Sequence, residues 1–254
     1  MIYFIGAGPG DRELITLKGA RILAEVDCVI YAGSLVNPDL LENVKKGCKI
    51  DDSSRMTLEE VMDVMMECER NGRHVARLHT GDPSIYGAIR EQIDILVQNN
   101  ISYEIVPGVS SFSAAAAALG AEYTLPGVSQ TVILTRMEGR TPVPAKESID
   151  ALAKIQASMA VFLSCNQLKQ LSARLIEGGY AADTPAAIVY KATWPDEIVI
   201  KTTIAKLEEA GKEKDINKTA LILVGWFLGD TYDRSLLYHP EFTHGYRTGS
   251  RDDA

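Results

Sequence analysis

Apolar positions in the first half of the chain follow two alternating periods. Ile2-Tyr3-Phe4-Ile5 is a continuous β-type run, and Gly6-Ala7-Gly8-Pro9-Gly10-Asp11 interrupts it at once. Leu14, Leu17, Lys18 and Arg21 then fall at helical spacing, which predicts a strand, a tight loop and a helix over 14–24. A second strand is predicted at 27–31, and Pro38 is placed to start a short helix. Thr57 and Glu60 have the spacing of a capping box, ahead of a helix face made by Val61, Val64, Met65 and Cys68; Gly72 is placed to end it. Strands at 74–78 and 103–106 and helices at 88–98 and 114–119 follow, with Ser110 or Ser111 as N-cap of the last. Alternation of this kind predicts an α/β domain around a parallel sheet.

A linker is expected at 120–130, and a second α/β unit after it. Its strands are predicted at 131–135, 159–164, 186–190, 197–203 and 220–224, and its helices near 147–154 and 167–177, the latter stopped by Gly178-Gly179. Residues 136–144 form a long polar loop. The expected layout is therefore an N-terminal α/β domain over 1–119, a linker, a C-terminal α/β domain over 131–230 and a polar tail over 231–254.

Three predicted strand ends carry loops of glycine, proline and small polar residues: Gly6–Asp11, Gly81–Gly87 and Pro107–Ser111. Glycine lets backbone approach backbone or a ligand without a Cβ in the way. In a parallel sheet such loops share one edge, where ligands of open α/β folds bind. The first loop is not a dinucleotide fingerprint. Asp11 stands where that motif needs its third glycine, and Pro9 removes a backbone donor. The one acidic residue of the second strand, Asp27, is at the wrong end to hold a ribose. A nicotinamide dehydrogenase is therefore disfavoured.

Composition narrows the class. At 254 residues with 46% hydrophobic content, the chain suits an ordinary globular core. No apolar run is long enough to span a membrane, and the N-terminus opens on a strand pattern, so a soluble cytoplasmic protein is expected. The net charge of −8 argues against nucleic-acid binding by bulk charge, while leaving room for an anionic substrate in a local basic pocket. Cys28, Cys48, Cys68 and Cys165 form no CxxC pair, and His74, His79, His239 and His244 lack metal-ligand spacing. Reduced thiols and no protein-bound metal are expected.

The set Gly6-Ala7-Gly8-Pro9-Gly10-Asp11, Thr80-Gly81-Asp82-Pro83 with Tyr86-Gly87, and Pro107-Gly108-Val109-Ser110-Ser111 resembles the signature loops of the tetrapyrrole methyltransferase superfamily, in order and spacing, to about Gly229. Tyr31–Val36, Gln130–Arg136 with Glu138–Pro144, and Tyr190–Glu197 further resemble the branch that methylates C11 of precorrin-4 or its cobalt form. The resemblance implies two α/β domains with the active site in the cleft between them, S-adenosylmethionine as methyl donor, and a homodimer. By motif, Pro9, Thr80, Gly81, Asp82, Ile85, Ser110 and Ser111 would line the cofactor site. Ser164 and Ala192 would reach it from the second domain, with Thr219 and Ala220 as shorter matches. Ala32 stands where uroporphyrinogen methyltransferases carry an aspartate proposed as proton acceptor, so that role is not carried over.

A macrocycle bearing many carboxylates would be met by basic side chains, since the guanidinium fork pairs with carboxylates. Arg12, Arg55, Arg136, Arg140 and Lys191 are the candidates, and Trp194 would either stack on a flat ring or pack under its loop. No catalytic residue is singled out. His79, Asp11 and Asp82 are the possible bases, each better explained otherwise: the two aspartates by turn hydrogen bonding, His79 by packing or capping. Two other readings remain at this level: a sister enzyme acting on C17, C20, uroporphyrinogen, diphthine or ribosomal RNA, or a non-catalytic S-adenosylmethionine-binding protein.

Overall fold

The computed structural model describes residues 1–250; the last four positions of the predicted tail lie outside the described residues. The chain divides into two compact units, one of Met1–Ala118 with Lys191–Ile198, the other of Leu119–Tyr190 with the residues from Val199 on. Both are α/β, each built on its own five-stranded sheet.

In the first unit the elements are β1 (Ile2–Gly6), α1 (Leu17–Glu25), β2 (Cys28–Tyr31), β3 (Lys49–Asp52), α2 (Leu58–Arg70), β4 (Val75–His79), α3 (Arg90–Gln98), β5 (Tyr103–Val106) and α4 (Ser111–Leu119). The sheet order is β3-β2-β4-β1-β5, and every pairing is parallel. Helices on both faces explain why the central strands read as continuous apolar runs. Ile5, Val29, Ala76 and Leu78 pack toward Ile22 and Leu23 of α1. Phe4, Ile30 and Val75 pack toward Met62, Met65 and Cys68 of α2 and Leu96 of α3. Met62 and Met65 of α2 are thus core filling.

The capping box forms as the spacing predicts: the Thr57 side chain accepts from Glu60 N, and Glu60 accepts from Thr57 N. At the far end Gly72 sits at φ +67°, the left-handed turn expected of a helix stop. Three elements differ from the sequence prediction. α1 begins at Leu17, because Asp11 caps a separate 3-10 turn over Arg12–Leu14 and Thr16 then caps the α-helix through Gly19 N. β3 was not predicted, since this edge strand is largely exposed and has no apolar period to read. α7 (Leu207–Glu213) in the second unit was also not predicted, being only seven residues long.

The second unit contains β6 (Val132–Arg136), α5 (Ile149–Ala153), β7 (Ser158–Phe162), α6 (Leu168–Glu177), β8 (Pro185–Tyr190), β9 (Ile198–Thr203), α7 and β10 (Ala220–Val224). Its order is β6-β7-β10-β8-β9, a mixed sheet in which β10 runs antiparallel to both β7 and β8. Leu168, Leu171 and Leu175 make the buried stripe of α6. Residues 119–130 belong to this unit and are anchored there: Ser158 Oγ donates to Tyr123 O at 2.6 Å.

The capping box supports α2, which forms one wall of the first core. Thr57→Ala removes one reciprocal bond and is expected to cost about 1 kcal/mol, read as a lower urea midpoint at unchanged slope.

Candidate functional site

β4, β1 and β5 are neighbours, so their C-terminal ends bring the three glycine-rich loops together on one edge of the sheet. The loops touch through backbone. Gly8 and Gly81 exchange hydrogen bonds, Gly81 N to Gly8 O at 2.8 Å and Gly8 N to Gly81 O at 3.3 Å. A Cβ built on Gly6 would stand 2.5 Å from Gly108 Cα, and one on Gly108 would stand 2.2 Å from Gly81 O. No side chain of any kind fits at either position. Asp82 then ties the second loop to the third: its Oδ2 accepts from Gly108 N at 2.8 Å, while Oδ1 accepts from Ser84 N at 2.8 Å and from the Ser84 hydroxyl.

Residues 191–198 also belong to this unit and close on the first loop. The Trp194 indole N–H donates to Pro9 O at 2.9 Å, and Asp11 N donates to Thr193 Oγ1 at 2.9 Å. From another side, buried Asn37 donates to Gly10 O at 2.8 Å. A Cβ on Gly10 would lie 2.1 Å from the Trp194 ring, so glycine is required there too.

The family model for Tetrapyrrole (Corrin/Porphyrin) Methylases matches residues 1–208. The chain belongs to this family. A cobalt-precorrin-4 C(11)-methyltransferase of Methanocaldococcus jannaschii is 53% identical over 247 residues, covering 97% of this chain and 95% of that protein. A precorrin-4 C(11)-methyltransferase of Pseudomonas aeruginosa is 43% identical, covering 98% and 99%. Among solved structures, a cobalamin biosynthetic enzyme described as cobalt precorrin-4 methyltransferase superposes with a TM-score of 0.88 at 48% identity, covering 90% of this chain and 96% of that one.

Within the methylase fold, the first unit brings together most of the residues expected at the cofactor. Pro9 and Ser110 are buried, Gly81 and Asp82 lie against Ser110 and Gly108, and Ser111 opens α4. Thr80 is exposed at the end of β4, and Ile85 is half-buried in the same loop. Ala192 is buried with this unit, not supplied by the second one as the motif reading had it; Thr193 and Trp194 fasten its loop to Pro9 and Asp11. The second unit gathers a smaller group after β7. Ser164 is fully buried, accepting from Met137 N at 2.8 Å and donating to Phe162 O at 2.6 Å. Cys165 next to it meets the backbone of Ala220, and Thr219 precedes β10 in a left-handed conformation, φ +56°.

The basic candidates separate. Arg136 spends its guanidinium on Met137 O, Thr141 O and Pro142 O, bracing the 136–144 loop from within. Lys191 pairs with Asp196 at 2.6 Å and sits 5.3 Å from the Trp194 ring centre. Arg12 makes a long, exposed pair with Glu42 at 3.4 Å, and Arg55 and Arg140 are exposed. Arg12 and Arg55 follow β1 and β3, on the same sheet edge as the glycine loops. Sequence reasoning missed Asn37 and Thr193. Both act through a single hydrogen bond to a loop distant in the chain, for which no local pattern exists.

The three possible bases differ in what holds them. Asp11 Oδ1 accepts from Glu13 N at 2.9 Å, capping its turn. Burial works to raise the Asp82 carboxyl, but the bonds from Ser84 and Gly108 outweigh it and hold the group below its ordinary value. His79 lies in the core beside Phe4, its Nε2 unpartnered; burial, with the nearby Arg77 guanidinium, pushes its pKa down to about 3.

A histidine that stays neutral when folded loses stability as pH falls, because only the unfolded chain takes up the proton. The loss begins near the unfolded pKa of about 6.5 and continues toward the folded value. Between pH 7 and pH 5 it amounts to about 2 kcal/mol. His79→Phe is expected to remove that share of the acid sensitivity, seen as a smaller drop in urea midpoint over the same interval; an unchanged drop would place the sensitivity elsewhere.

Proposed function

We propose that the protein transfers a methyl group from S-adenosylmethionine to C11 of cobalt-precorrin-4, a step in building the corrin ring. The observation that carries this reading is the joint match of fold and sequence to proteins named for that reaction, along nearly the whole chain. Relatives named for cobalt-precorrin-4, at 53% and 48% identity, stand nearer than those named for precorrin-4, at 41% to 43%. In this reading any cobalt is carried by the substrate ring. The protein would act as a homodimer in the cytoplasm; among the described residues no helix is long and apolar enough to cross a membrane.

The loops suit the donor. Gly6 and Gly108 let the loops meet backbone to backbone, with Gly81 N–H and C=O bonded to Gly8 and Gly108 N–H to Asp82, and Gly81 stands at φ +62°. Pro9, Thr80–Asp82, Ile85, Ser110, Ser111 and Ala192 would hold the cofactor, largely through main chain, and Ser164, Thr219 and Ala220 would contribute their own backbone. S-adenosylmethionine supplies an already activated methyl electrophile. The protein's task is then alignment of donor and acceptor, an effect that reaches about 7–11 kcal/mol in well-oriented systems. The paired bonds between loops supply the stiffness that alignment demands. Arg12, Arg55, Arg140 and Lys191 would meet the ring's carboxylates, with Arg136 shaping the loop beside them.

Incubation with labelled S-adenosylmethionine and cobalt-precorrin-4 is expected to place label at C11, with lower turnover on the metal-free ring. Label at another ring carbon would overturn the assignment, and tight cofactor binding without turnover on any tetrapyrrole would favour a binding protein. Gly81→Arg puts a long side chain among the three loops. It is expected to abolish cofactor binding in calorimetry while circular dichroism stays close to wild type.

A further inference from the structure

The three residues Pro9, Gly10 and Asp11 are each gripped by a different side chain. Trp194 Nε1 holds Pro9 O, Asn37 Nδ2 holds Gly10 O, and Thr193 Oγ1 receives Asp11 N. The segment supplying two of these grips is itself braced. Thr193 N donates to Glu197 Oε2 at 2.6 Å, Trp194 N to Lys191 O at 3.0 Å, and Lys191 Nζ to Asp196 at 2.6 Å. It also carries strain, since Lys191 and Thr193 lie at φ +46° and +70°, and a β-branched residue is a true outlier there. Strain of that kind persists only where surrounding contacts fix it, and it concentrates at functional sites.

We propose that Trp194 and Thr193 are positioning residues that hold the Pro9–Asp11 turn in its cofactor-binding shape, and that Trp194 is not a stacking platform for the macrocycle. The inference rests on the methyltransferase reading of the same loops. The indole's single donor is used on Pro9 O, one edge of the ring fills the space a Gly10 side chain would need, and the Lys191 ammonium lies over the ring. A macrocycle stacking on that ring would have to displace the ammonium. The turn, by contrast, has few bonds of its own: proline lacks an N–H, and glycine adds freedom, so its shape must be imposed from outside.

The test uses the full chain and S-adenosylhomocysteine as the calorimetric probe. Trp194→Phe keeps the aromatic bulk and loses the donor; Thr193→Val keeps the shape and loses the acceptor; Thr193→Ser restores it. Each lost hydrogen bond is expected to raise the dissociation constant about fivefold to tenfold. Thr193→Ser should return to within about twofold of wild type. In steady state the KM for S-adenosylmethionine should rise, with kcat and the macrocycle KM little changed. Unchanged cofactor affinity in both Trp194→Phe and Thr193→Val would overturn the proposal, as would a rise in the macrocycle KM alone. If Trp194→Phe does not fold, the Val/Ser pair at Thr193 still decides. A wild-type protein that binds the probe but labels a carbon other than C11 would sink the proposed reaction and leave this result standing.

Discussion

The structure of the first unit depends on one contact of backbone with backbone. Gly6 and Gly108, at or just past the ends of β1 and β5, approach each other and the Gly81 carbonyl more closely than a Cβ on either would permit, and Gly81 itself stands at φ +62°. That approach lets Gly8 and Gly81 bond reciprocally, and it brings Gly108 N within reach of Asp82. Three loops that would otherwise stand apart are tied together through main-chain groups and Asp82. Three parallel strands could adopt the same order without it, but their loops would then stand apart. The glycines therefore set the spacing of the site, and the side chains are added to a frame already fixed.

The same logic repeats one step further out. Gly10 is as constrained as Gly6, but by an aromatic ring instead of backbone. The first loop is thus built from two kinds of demand: Gly6 and Gly8 answer to the neighbouring strand ends, while Pro9, Gly10 and Asp11 answer to Asn37, Thr193 and Trp194. A motif that looks uniform along the sequence divides in space into a part that sets the sheet edge and a part that is held by distant side chains. Pro9 suits the second part, because its fixed φ narrows the turn's choices and its carbonyl remains available to the indole.

This division marks how far the sequence could be read. The sheet edge was legible: strand, glycine loop and helix recur three times, and periodicity placed β5 and β10 at their observed bounds. The α2 cap was legible because both partners lie within three residues. β3 was not, since an exposed edge strand of Lys, Ile and two Asp carries no apolar alternation. Asn37 and Thr193 were illegible for a different reason. Their partners lie 27 and 182 residues away, and a single long-range hydrogen bond leaves no local trace. The two readings of Trp194 could not be separated until its donor was seen on Pro9.

The ionisable groups also bear on how such a site would work. Of the candidate bases, Asp82 is committed at both oxygens, and His79 is buried, neutral and packed beside Phe4. Acid–base chemistry by either would need a partner broken first: freeing Asp82 would release the second loop from the third. Asp82 could therefore move a proton only by giving up a bond that keeps the site in shape. A reaction whose electrophile arrives already activated escapes that conflict, because it asks the protein mainly for geometry. A net charge of −8 points the same way for the substrate. That bulk charge would repel a polycarboxylate such as the proposed substrate, so on that reading attraction would have to come from a few local cations. Arg12 and Arg55 are exposed on the sheet edge that carries the loops, Arg12 in a long pair with Glu42.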